Sequence, residues 1–113
     1  MSITVDRLAS LIQRELANIV NEIVKNKKVG YINLTEVKVT KDISYATTYY
    51  TILSDEKEII ELAQSELDKF KVQIRMELAK KIRNVRKIPE LIFKYDEALA
   101  YGNHIDKLLK SLK

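Results

Sequence analysis

The chain has no cysteine, so disulfides and thiolate metal sites are excluded. It has one histidine, His104, and a zinc site or an acid–base pair built on a single imidazole needs partners that the sequence does not place nearby. Asp106, two residues on, does not share a helix face with it, so a structural role is expected. No apolar run approaches the roughly 20 residues of a membrane-spanning helix. The N-terminus Met1-Ser2-Ile3-Thr4-Val5-Asp6-Arg7 lacks a basic region followed by an apolar stretch, so no signal peptide and a cytoplasmic location are expected. Phosphate-binding glycine loops and dinucleotide fingerprints are missing too. Two glycines, Gly30 and Gly102, and one proline, Pro89, are the only strong breakers in 113 residues. Most of the chain should therefore be regular structure in a single domain, residues 1–113.

What is present is uneven charge. Between Lys69 and Lys94 stand nine Lys/Arg and two acids, a net of +7; the other residues hold eleven bases against fourteen acids, a net of −3. The formal charge of +4 thus comes from one short stretch. Gathered positive charge repels itself and points to an anionic partner, with nucleic acid the commonest; a solvated helix face is the alternative.

The hydrophobic pattern orders the elements. Leu8, Leu11, Ile12, Leu16, Ile19, Val20 and Ile23 recur at three- and four-residue steps, which predicts a helix over 5–25 capped by Thr4. Asn26-Lys27-Lys28-Val29-Gly30 is expected to close it, with the lysines at the negative end of the helix dipole and Gly30 permitting the turn. Residues 31–40 and 45–53 are rich in β-branched and aromatic types and form a hairpin across Lys41-Asp42. Ile32 and Leu34 share one phase and Val37 and Val39 the other, so a bulge is expected near Thr35-Glu36. Ser54 is the predicted cap of a helical stripe through Ile60, Ala63, Leu67, Phe70, Ile74, Leu78 and Ile82. Its length and its change of charge sign predict a break near 68–71. Pro89 then starts a strand over 90–95, expected to be buried on both faces, and a helix is expected over 97–112. Val72, Met76 and Ala79 form a second apolar patch; packing against the first helix or the sheet is the expected reason for it, and a protein contact the alternative. Tyr45, Tyr49 and Tyr50 suit base stacking or ordinary packing with a bonded hydroxyl, and packing is the commoner case. Asp96-Glu97 reads as a helix cap and dipole partner rather than a catalytic pair.

Helix, strand, strand, helix, helix, strand, helix gives an α+β fold. It is expected to be a KH-like domain of type II topology, with a three-stranded mixed sheet and helices packed on one side. Three stretches add a family resemblance: Ile12-Gln13-Arg14-Glu15-Leu16; Thr35 to Ile43 with Ala46 and Tyr49-Tyr50; and Pro89 to Glu97 followed by Tyr101-Gly102-Asn103-His104-Ile105. In that order and spacing they resemble the bacterial ribosome-binding factor A family over nearly the full length. The resemblance implies a KH-fold assembly factor that binds the immature small ribosomal subunit, supports maturation of the 5′ region of small-subunit rRNA, is not itself a nuclease and is associated with growth in the cold. It also implies a helix kink built on Ala-x-Gly in place of the usual Gly-x-x-Gly loop. The matching positions here are Phe70-Lys71-Val72, with neither the alanine nor the glycine. Lys69, Lys71, Arg75, Lys80, Lys81, Arg83, Arg86, Lys87 and Lys94 are the candidate RNA-binding residues. No catalytic residue, metal or cofactor is expected. The expected partners are small-subunit rRNA and free small subunits, not membranes, with the protein a monomer in solution. The alternatives are a general RNA-binding or protein-interaction module, or a small RNA-processing enzyme, which would need a cluster of acid–base residues that cannot be assembled here.

Overall fold

The structure, a computed structural model, describes residues 4–82 and 87–99. The first helix, α1, spans Val5–Ile23, and the Thr4 hydroxyl accepts the Arg7 backbone N–H at 3.2 Å, as an N-cap does. Leu8, Ile12, Leu16, Ile19 and Val20 are buried along one face. The helix stops two residues short of the expected end and its last turn holds no base. Lys25, Lys27 and Lys28 fall beyond it, so they do not cap the helix dipole. The chain turns instead around Asn26, whose carbonyl accepts the N–H groups of Val29 (3.1 Å) and Gly30 (3.0 Å). Gly30 sits at φ +69°, the left-handed region that glycine enters without steric cost.

Strands β1 (Ile32–Val39) and β2 (Tyr45–Ile52) pair antiparallel, and β2 pairs in parallel with β3 (Glu90–Tyr95), giving a mixed sheet of order β1-β2-β3. The expected bulge is present: Leu34 opposes Tyr50, Glu36 opposes Tyr49, and Thr35 has no partner between them. That one extra residue lets Ile32, Leu34 and Val37 all point inward. The hairpin turn puts Ile43 at φ 60°, a costly setting for a β-branched residue. Two things hold it there. Ile43 packs against the core, and Thr40, Asp42 and Ser44 close a small polar ring beside it, with Thr40 Oγ1 donating to Asp42 at 2.8 Å and Ser44 Oγ at 2.7 Å.

Helix α2, Lys57–Lys81, carries the chain from β2 back to start β3 in parallel with it. It begins later than predicted. Ser54 accepts the Glu56 N–H at 3.1 Å but lies outside the helix, and the cap residue is Glu56, with no side-chain bond. The predicted break at 68–71 is not there; the helix runs unbroken through these positions. Ala63, Leu67, Ile74 and Leu78 keep one continuous buried stripe, and Phe70 and Val72 lie within the unbroken helix. A change of charge sign on an exposed face does not interrupt the backbone ladder.

Both helices pack on one sheet face, against Ile32, Leu34, Val37, Ala46, Tyr50, Leu91 and Phe93. The opposite face bears exposed Asn33, Glu36, Lys38, Tyr45 and Lys94. Strand β3 is therefore an edge strand with one buried face. Leu91 and Phe93 point inward, and Ile92 is only partly covered rather than buried as predicted. The expected tail helix over 97–112 lies outside the described residues apart from its first turn, 97–99, which is helical.

Three polar side chains lock the layers. Asn21 of α1 accepts the Ile32 N–H and donates to the Ile32 carbonyl, both at 2.9 Å, so it clamps the start of β1. Gln64 of α2 donates to the Phe93 carbonyl at 2.8 Å and accepts the Tyr50 hydroxyl at 2.5 Å, which ties the helix to β3 and β2. Asp96 accepts the hydroxyl of the bulge residue Thr35 at 2.6 Å and the Leu99 N–H at 3.1 Å. Both bonds favour the charged carboxylate, the Thr35 bond more strongly, and hold it below the usual carboxylate range.

Candidate nucleic-acid interface

The C-terminal half of α2 presents Lys69, Lys71, Arg75, Lys80 and Lys81, all exposed. A helix places them here because its buried stripe needs only every third or fourth position, which leaves the rest to solvent. Lys80 and Lys81 lie in the last turn, where a cation also suits the negative end of the helix dipole. The Lys69 ammonium stands 5.3 Å from the Phe70 ring centre, and Lys80 reaches Glu77 at 3.0 Å, an exposed pair of little strength.

Two of the predicted RNA-binding side chains are partly spent inside the fold. Arg75 donates from Nε to the Pro89 carbonyl at 3.1 Å and from Nη2 to the Ile88 carbonyl at 2.7 Å. It thereby pins the approach to β3 against α2. Lys87 donates to the Asp42 carbonyl at 3.3 Å and to Ser44 Oγ at 3.5 Å, joining the same approach to the hairpin turn. Lys94 is exposed on the outer sheet face, opposite Tyr49. Arg83 and Arg86 lie outside the described residues, as does His104.

The tyrosines divide as their alternation requires. Tyr50 is fully buried, meets Tyr95 edge to face at 5.8 Å, and is kept neutral well above the usual phenol range, by burial first and then by Asp68. It is a core residue and not a stacking platform. Tyr45 is exposed, and Tyr49 is half-covered with the Lys38 ammonium 5.6 Å from its ring centre. Sequence reasoning misses Lys38 as a candidate; its strand phase, opposite to that of Val37, is the available signal. It misses Arg7 and Arg14 as well. Seven residues apart on α1, they line a shallow concavity with Asp6, Ser10 and Leu11. Asp96 caps the turn at 97–99, as expected.

One expectation fails outright. Val72 and Met76 do not pack inside; they are 70% and 60% exposed, and Ala79 is exposed beside them. On a helix they lie directly opposite Ile74 and Leu78, so one helix cannot bury both faces, and neither α1 nor the sheet reaches around it. Among the described residues no three His, Cys, Asp or Glu side chains converge to hold a metal ion, and no helix is long and apolar enough to cross a membrane.

A family profile described as Ribosome-binding factor A matches residues 4–109. The chain is 55% identical over 112 residues to the ribosome-binding factor A of Phytoplasma mali, covering 99% of this chain and 98% of that one. It is 43% identical over 106 residues to that of Enterococcus faecalis, covering 94% and 90%. Among solved structures, ribosome-binding factor A from Thermus thermophilus superposes with a TM-score of 0.70 at 22% identity, covering 82% of this chain and 97% of that one. A homology model of the Thermus factor, fitted into the cryo-electron microscopy map of a 30S complex with that factor, gives 0.66 at 21% identity, covering 79% and 91%. At such identities the structural likeness establishes the fold.

Proposed function

The chain belongs to the ribosome-binding factor A family, and from that membership we propose that it is a non-catalytic assembly factor. It binds the immature small ribosomal subunit and aids maturation of the 5′ region of small-subunit rRNA, acting in the cytoplasm as one KH-like unit over residues 1–113. The fold it shares with a factor fitted into a 30S complex supports this reading. The observation that carries the RNA-binding part is the exposed run Lys69, Lys71, Lys80 and Lys81 along half of one helix; Lys94 is exposed on the opposite face of the sheet, away from this run. Arg83, Arg86 and Lys87 extend the same stretch in sequence. Binding to phosphates needs charge and reach rather than exact placement, and a lysine-studded helix supplies both. Arg75 acts chiefly by holding this surface against β3.

The test is co-sedimentation of the purified protein with free small subunits, large subunits and intact ribosomes at several salt concentrations. Retention on free small subunits is expected, falling steeply with salt as counterions are released. Replacing Lys69, Lys71, Lys80 and Lys81 by alanine is expected to weaken retention and to flatten the salt dependence, by about 0.7–0.9 in log–log slope for each phosphate the protein no longer neutralises. Equal retention on all three particles, or affinity flat in salt, would overturn the assignment.

A further inference from the structure

The face of α2 turned away from the core carries a feature that phosphate binding does not use. Val72 and Met76 are four residues apart and so are neighbours on that face. They are 70% and 60% exposed, and Ala79 continues the patch. Helix formation does not ask for them, since a β-branched valine at an exposed helical position is slightly unfavourable. Their surroundings set them apart from scattered surface apolar residues, which are ordinary. Lys69 precedes Val72 by three residues and Lys80 follows Met76 by four, so the same row ends in an ammonium group on each side, with exposed Gln73 beside it. The row is also continuous with the basic surface described above.

We infer that this face docks a protein of the small subunit, one presenting an apolar patch edged by carboxylates. The inference rests on the assembly-factor reading. An apolar centre with a charged rim is the anatomy of a protein–protein contact, and methionine is enriched at such centres because it adapts to irregular surfaces. RNA is the weaker fit. Unpaired bases are held by aromatic or guanidinium planes and by polar groups that read their edges, and Val72, Met76 and Ala79 offer neither. The lysine rim selects an acidic complement, which steers approach and fixes orientation.

The test is the double substitution Val72→Gln and Met76→Gln, which leaves charge and helix propensity nearly unchanged, with circular dichroism to confirm the fold. Affinities of wild type and variant are measured for purified small subunits and for protein-free small-subunit rRNA. The variant is expected to bind the bare rRNA like wild type and to bind the subunits about tenfold or more weakly, the scale of one or two buried side chains at an interface. A photo-crosslinking amino acid at position 72 is expected to label a small-subunit protein. Unchanged affinity for subunits overturns the inference. Crosslinks to rRNA alone would give the face to RNA, and a concentration-dependent dimer in sedimentation equilibrium, abolished by the double substitution, would give it to a second copy; either also overturns it. If wild type does not bind small subunits, the assembly-factor reading falls and this inference falls with it. If wild type binds and only the variant is indifferent, the inference alone falls.

Discussion

Thr48 stands in the middle of β2, fully buried, and among the described residues its hydroxyl is the buried side-chain group without a hydrogen-bond partner. Its strand neighbours are Val37 and Phe93, neither of which offers a polar side chain. Thr48→Val keeps the shape and removes the orphan, so it is expected to raise stability by about 1 kcal/mol, read from urea or thermal unfolding. Asp42 is the opposite case, an exposed carboxylate with more donors than usual. The Ser44 hydroxyl, then the Thr40 hydroxyl, then the Ser44 N–H stabilise its charged form and lower its pKa from 3.8 to about 2. With the folded value depressed, the contribution is present above the unfolded value and is lost as pH falls through the folded one. The Ser44 amide resonance is expected to be flat above pH 4 and to titrate with a midpoint near 2. Asp42→Asn is expected to abolish that titration.

At the scale of elements, the joints rest on side chains that no periodicity reveals. Asn21 satisfies both backbone groups of Ile32, a fully buried residue. Asn21→Ala would leave them unpaired, with an expected loss of about 1–3 kcal/mol by denaturant titration. Arg75 and Lys71 are both exposed bases on the same helix, yet they should behave differently. Arg75→Ala removes the hold on the Ile88 and Pro89 carbonyls and is expected to cost about 1–2 kcal/mol, whereas Lys71→Ala should stay within about 0.5 kcal/mol. Their effects on RNA affinity then separate too: Lys71→Ala lowers affinity at unchanged stability, and Arg75→Ala lowers both.

For the whole molecule, the uneven charge sets the behaviour. The +7 stretch from Lys69 to Lys94, against a −3 remainder, gathers the positive charge into one part of the chain, so association with RNA should be sensitive to salt. Incubated alone with precursor rRNA, the protein is expected to leave the ends untrimmed on a denaturing gel, because the proposed role is to hold the 5′ region while separate nucleases finish it. Appearance of mature ends in that assay would replace the assembly-factor reading with an enzymatic one.

The sequence by itself determined the first helix, the hairpin, the third strand, the three-stranded mixed sheet they form, the bulge at Thr35, the Thr4 cap and the basic half of α2. These follow from period, phase and local charge, which act between near neighbours along the chain. Family membership was legible in the same way, from short motifs in a fixed order. Only the tertiary structure decided which exposed bases are free to meet a ligand and which are engaged in the fold, as with Arg75 at Ile88 and Pro89 or Lys87 at the hairpin turn. Only it decided that α2 continues through 68–71, since the buried stripe from Ala63 to Leu78 holds the helix together where the change of charge suggested a break. And only it left Val72 and Met76 in solvent. An apolar pair in a sequence is the same whether or not a neighbour covers it, and that depends on how far a second helix and a small sheet reach around the first.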